Sequence, residues 1–144
     1  MIDTQGGGRG SPAVIAPGGT VGIVGGGQLG RMLAASAHQH GYRVAVLTGG
    51  GSATPAGAVA DVEIDGDHAD PAALDRLIAE ADALTWEFEH VSPERAERAV
   101  AAGVPVRPSG AVIATAQDRA REKKALRAAG VPVADWRPAR DLGA

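Results

Sequence analysis

The chain has 144 residues, 44% of them hydrophobic, 22% charged and 3% aromatic, with a formal net charge of −3 and no cysteine. That length suits one α/β domain with a real core, and the acidic balance leaves no basic footprint for nucleic acid and no polybasic patch for a membrane surface. The lack of cysteine excludes disulfides and cysteine-ligated zinc and fits a reducing, cytoplasmic location, and no run approaches the roughly 20 apolar residues of a membrane span.

The first 19 residues, "MIDTQGGGRGSPAVIAPGG", lack the apolar core of a signal peptide. They predict a disordered tail, because glycine, proline and serine bury too little to offset ordering entropy. Residues 21–24 then predict a short apolar strand. A helix over 28–40 carries Leu29, Met32, Leu33 and Ala37 on one face, with Gly41 at the position of a C-cap. "YRVAVL" at 42–47 is the second strand, followed by the glycine-rich loop "GGGSATPAG". A weak third strand covers 62–64. Asp70-Pro71 supplies an N-cap and a first-turn proline for a helix whose Leu74, Leu77 and Ile78 face inward. "ALTWEF" at 83–88 is the fourth strand, and Ser92-Pro93 repeats the cap-then-proline signal for a helix ending near Gly103. A fifth short strand is expected at 104–106. Helices over 111–116 and 118–129 follow, broken near Gln117 and closed by Gly130.

Strand–helix alternation with short, β-branched strands predicts an α/β fold: a doubly wound, mainly parallel, five-stranded sheet. Ligands of such sheets lie beyond the carboxyl ends of the strands, which singles out 25–30, 48–57, 87–92 and 107–110. The first of these holds Gly25, Gly27 and Gly30 in a G-x-G-x-x-G pattern, with Gly26 added. The free N–H groups at such a helix start suit a phosphate. The same glycines could equally serve only the turn and its packing. A dinucleotide demands more, namely an acid closing the second strand. Here Leu47 is followed by Thr48 and three glycines, and no Asp or Glu occurs before Asp61. A phosphoribosyl ligand fits better.

Glu87 and Glu89 in "TWEFEHV" are expected at the end of the fourth strand, on one face by the period of two, with Phe88 opposite. There they can accept hydrogen bonds from ribose hydroxyls or an amine. Two carboxylates alone make a poor magnesium site, and no metal ligand is assigned. His90 could act as a base or be plain polar surface, and no catalytic residue is assigned.

"GIVGGGQLGRML", "TWEFEHV", "VRPS" and "AQDRAREKKALRAAGVPVA", in this order and spacing, resemble 5-(carboxyamino)imidazole ribonucleotide synthase, of the ATP-grasp superfamily. The resemblance covers about residues 20–136. It implies a Rossmann-like pre-ATP-grasp domain over 20–110 and linker helices over 111–144, leading to an ATP-grasp domain that the sequence lacks. It further implies a homodimer that uses Mg-ATP (ATP with Mg²⁺) and bicarbonate to carboxylate aminoimidazole ribonucleotide in purine biosynthesis. By the same resemblance, Gly26, Gly27, Gln28 and Leu29 lie against that ribonucleotide, Leu29 through its backbone. Glu87 faces its ribose or amine, and Arg119 contacts ATP. The sequence departs from the family pattern at Thr48-Gly49, where Asp-Pro is usual, and at His90, where Asn is usual. A truncated, non-catalytic binding module and a NAD-type dinucleotide domain are the alternatives.

Overall fold

A computed structural model describes residues 14–51 and 53–137. The strands β1 (Thr20–Val24), β2 (Arg43–Leu47), β3 (Val62–Ile64) and β4 (Ala83–Trp86) alternate with the helices α1 (Gln28–Gln39), α2 (Pro71–Glu80) and α3 (Pro93–Ala101). Two more helices, α4 (Gly110–Ala116) and α5 (Arg119–Ala128), close the described chain. The sheet has the order β3-β2-β1-β4, and every pairing is parallel.

Alternation within the strands sorts the core into two layers. Val44 and Val46 of β2 join Ile23 and Ala34 on the α1 side. Ala45 and Leu47 join Val24, Leu74, Leu77, Leu84 and Trp86 on the other side, where α2 and α3 lie. Helices therefore cover both faces, as parallel strands buried on both sides require. The proline-led start of α2 is as expected: Asp70 caps it, its side chain accepting from the Ala72 N–H at 2.9 Å. Leu74 and Leu77 are buried, and Ile78 packs against the same cluster.

Three expectations are corrected. Among the described residues the sheet has four strands rather than five: Val106 forms a single bridge to Leu84. Pro105 lacks the N–H that a longer ladder needs. Strand β4 stops at Trp86, so Glu87 and Glu89 lie beyond it, where a period of two no longer fixes their direction. On α1, where the spacing names only a face, the stripe of large residues is exposed, with Leu29 58% and Met32 66% accessible. Gly30 and Ala34 are buried instead, Ala34 beside Ile23 and Val44, and Gly30 with no room for a Cβ against the Gly25 carbonyl. Finally, residues 15–19 are held against the end of α1: Gly18 donates to the Gly41 carbonyl at 2.7 Å, and the Tyr42 hydroxyl donates to the Ile15 carbonyl. Residues 1–13 of the expected tail and 138–144 of the expected linker lie outside the described residues.

Candidate functional site

The chain leaves β1 toward β2 on one side and returns by α2 to β4 on the other. The strand order therefore reverses between β1 and β4, and a crevice opens at their carboxyl ends. The residues that follow those two strands are the glycine turn and Glu87. Topology brings them together across 60 residues of sequence.

Glu87 continues the ladder by one bond, its N–H donating to the Val24 carbonyl at 2.9 Å. Its side chain then enters the glycine turn. Oε2 accepts the Gly27 N–H at 2.9 Å. A Cβ on Gly27 would stand 2.4 Å from Oε1, and one on Gly25 2.3 Å from Oε2. Gly25 also sits at φ +130°, a conformation open to glycine. Gly26 is close to protein as well, since a Cβ there would meet the Thr48 carbonyl at 2.6 Å. The glycines thus make room for a carboxylate of the chain itself. Helix α1 has no acid in its first turn, and Glu87 stands at its positive end in that role. The N–H groups of Gln28 and Leu29 donate to no group among the described residues. They remain open to an acceptor.

Glu87 divides two concavities. One, of about 170 Å³, lies between Trp86, Phe88, Glu89 and the α4 residues Val112 and Ile113. The other, of about 390 Å³, is walled by Leu29, Met32, Leu33 and Trp86. Trp86 is buried, and its indole N–H has no hydrogen-bond partner among the described residues. Both hollows are mostly apolar with a carboxylate at the rim, the composition of a small-molecule site.

The rim beyond Glu87 is built by three further groups. Glu89 is exposed and lies 3.5 Å from His90, which is exposed too. The loop after β3 arches over the sheet end and sets His68 on Phe88, with ring centroids 4.9 Å apart. Burial pushes the His68 imidazole below its ordinary pKa, with the Asp67 charge opposing, and its Nε2 has no partner among the described residues. At the α4–α5 junction Arg119 is 82% exposed and pairs with Glu122 at 2.5 Å. The Glu122 carboxylate, and more weakly Glu89, raise its already high pKa. Thr48 is buried, and its hydroxyl donates to the Ile64 carbonyl. Among the described residues no three His, Cys, Asp or Glu side chains gather as a metal site.

Residues 19–117 match the family model of the ribonucleotide synthetase preATP-grasp domain. The chain belongs to that family. It is similar to the N5-carboxyaminoimidazole ribonucleotide synthase of Brucella melitensis, 42% identical over 123 residues, or 85% of this chain and 33% of that protein. The synthase of Mycobacterium bovis is 44% identical over 126 residues, or 85% of this chain and 29% of that protein. Among solved structures, the N5-carboxyaminoimidazole synthase of Aspergillus clavatus, in complex with ADP and 5-aminoimidazole ribonucleotide, matches with a TM-score of 0.72 and 36% identity. The match covers 83% of this chain and 31% of that one. The Thermotoga maritima synthetase matches with a TM-score of 0.77 and 31% identity, over 86% and 34%. The chain spans about a third of the length of these relatives.

Within this preATP-grasp domain the glycine turn and Glu87 meet, whereas Arg119 opens α5, just beyond the matched residues. Two rim residues carry weak signals in the sequence. His68 lies in a polar loop and is marked by nothing local. Gln117 is visible only as the break between two helices, yet its side chain reaches the loop that bears the acids.

Proposed function

We propose that this preATP-grasp domain is the substrate side of an ATP-dependent carboxylating ligase that acts on aminoimidazole ribonucleotide, with bicarbonate as co-substrate, in purine biosynthesis. The observation that carries this reading is the Glu87 carboxylate seated in the glycine turn at the sheet's switch point. Its Oε2 is taken by Gly27, and Oε1 is left to accept from a ribose hydroxyl or the exocyclic amine. Gly26 and Gly27 keep the backbone low enough for the ligand to approach. The N–H groups of Gln28 and Leu29 donate to its acceptors, Leu29 through its backbone. A phosphate would meet the Glu87 charge here, so the sugar and base, rather than the phosphate, are assigned to the turn.

Arg119 is assigned a contact with ATP, for which its exposed guanidinium has donors to spare beyond the Nη1 bond to Glu122. Magnesium does not fit the described residues, which gather no set of acids for it. Magnesium, the phosphate clamp and bicarbonate are assigned to the part of the longer relatives that this chain does not span. A cytoplasmic location and a homodimer belong to the same proposal, and the exposed Leu29–Met32–Leu33 stripe supports a further polypeptide surface against α1. No described helix is long and apolar enough to cross a membrane.

A dinucleotide finds less here. Thr48, where an acid would bind the adenosine ribose, is buried and already bonded. One missing charged hydrogen bond costs about 1.5–3 kcal/mol, or tenfold or more in affinity. The test is a titration of the chain followed by the amide shifts of Gly26, Gly27, Gln28 and Leu29. Aminoimidazole ribonucleotide is expected to saturate at lower concentration than NAD. The opposite order defeats the proposal.

A further inference from the structure

Among the described residues, the backbone of the loop that bears the two acids accepts from one side chain, far along the chain. Gln117, between α4 and α5, donates from Nε2 to the Glu89 carbonyl at 2.5 Å and to the Val91 carbonyl at 2.7 Å. A primary amide has two N–H protons, and both are used. The Glu89 carbonyl also accepts the Val91 N–H at 2.8 Å, which closes a tight turn at His90. Val91 anchors one end of this loop in the core, but the Glu89 and His90 side chains are exposed and fix nothing. Ser92 gives its hydroxyl to Glu94 and makes no cap bond to α3.

The other side of Gln117 is as firmly tied. Its backbone N–H ends α4 on the Ile113 carbonyl at 3.0 Å. The next residue, Asp118, caps α5 by accepting the N–H groups of Ala120 and Arg121 at 2.8 and 3.0 Å. Arg119 is the first residue of that helix.

We propose that Gln117 is a positioning residue, which holds the Glu87–Glu89 loop and the Arg119 end of α5 as one unit. This rests on the assignment of Glu87 to the ribonucleotide and Arg119 to ATP. Substrate and nucleotide then keep a fixed separation whichever binds first. The residue type follows from the site. Lysine or arginine at 117 would bring a cation among the acids, and glutamate would turn a carboxylate toward two carbonyls. The amide donates twice and adds no charge, leaving the field of Glu87 and Glu89 unchanged. Glu89 already acts electrostatically on the Arg119 guanidinium.

The experiment uses the full 144-residue chain, labelled with ¹⁵N, with Gln117→Met and Gln117→Glu. In Gln117→Met the Val91 amide is expected to exchange with solvent roughly tenfold faster or more, while Ile23 and Val46 in the sheet keep their rates. Aminoimidazole ribonucleotide shifts the amides of both Gln28 and Arg119 in the parent chain, and only Gln28 in Gln117→Met. In Gln117→Glu the Val91 protection is lost at neutral pH and returns in part at about pH 4, where the new carboxyl is protonated and donates once. A residue that merely ends α4 gives no such pH dependence. Unchanged Val91 exchange in Gln117→Met, or pH-independent exchange in Gln117→Glu after correction by the parent chain, overturns the proposal. A parent chain with no shift at any ribonucleotide concentration defeats the functional assignment, and the exchange of Val91 still decides the role of Gln117.

Discussion

Gly27 has no room for a side chain because the Glu87 carboxylate stands 2.4 Å from where a Cβ would be. Gly27→Ala is therefore expected to expel Glu87, and the cost should fall when Glu87 is shortened as well. In a double-mutant cycle of Gly27→Ala and Glu87→Ala, urea denaturation should give a coupling of about 1 kcal/mol or more. Additive losses would mean that the carboxylate does not occupy the turn. Glu87→Gln keeps an oxygen for the Gly27 N–H and should keep the fold. The glycines, the acid pair and Thr48 were all legible in the sequence, since each is a residue type at a set spacing. That Glu87 would fill the turn was not, because it depends on β4 lying beside β1, and no local pattern records which strands are neighbours.

At the scale of the elements, two helices open with the same cap-then-proline signal and differ in what the cap does. Asp70 accepts a backbone N–H of α2, whereas the Ser92 hydroxyl turns to Glu94. Asp70→Ala should cost about 1 kcal/mol and Ser92→Ala only a few tenths, both read from the midpoint of urea unfolding. Equal losses would show that the two caps work alike. Element types were readable because apolar periods and helix punctuation are local. The errors have physical sources. A run of "VPV" has strand propensity but cannot donate at Pro105. The stripe on α1 is no such error, since helical spacing names a face without saying whether the large or the small side chains turn inward. Gly30 and Ala34 take the inner position, Gly30 because the Gly25 carbonyl leaves no room for a Cβ.

For the whole molecule, the order β3-β2-β1-β4 puts the acids, the glycine turn and the helix junction at one end of the sheet. The described residues gather no cluster that could hold a magnesium ion. The purified chain, given ATP, bicarbonate and aminoimidazole ribonucleotide, is accordingly expected to show no carboxylation and no phosphate release above a buffer blank. Turnover would mean that it holds nucleotide by means not seen here. The borders of the sheet have a consequence of another kind. One border, β3, is three residues long. At the other, the Leu84 N–H and carbonyl are already spent on Pro105 and Arg107, and the outward Val106 carbonyl accepts from the Arg107 guanidinium at 2.8 Å. An unpaired border of sufficient length is a template on which further chains can stack into fibrils, and neither border of this sheet offers one. The arginine that turns back onto Val106 thus also helps to keep concentrated protein from joining edge to edge.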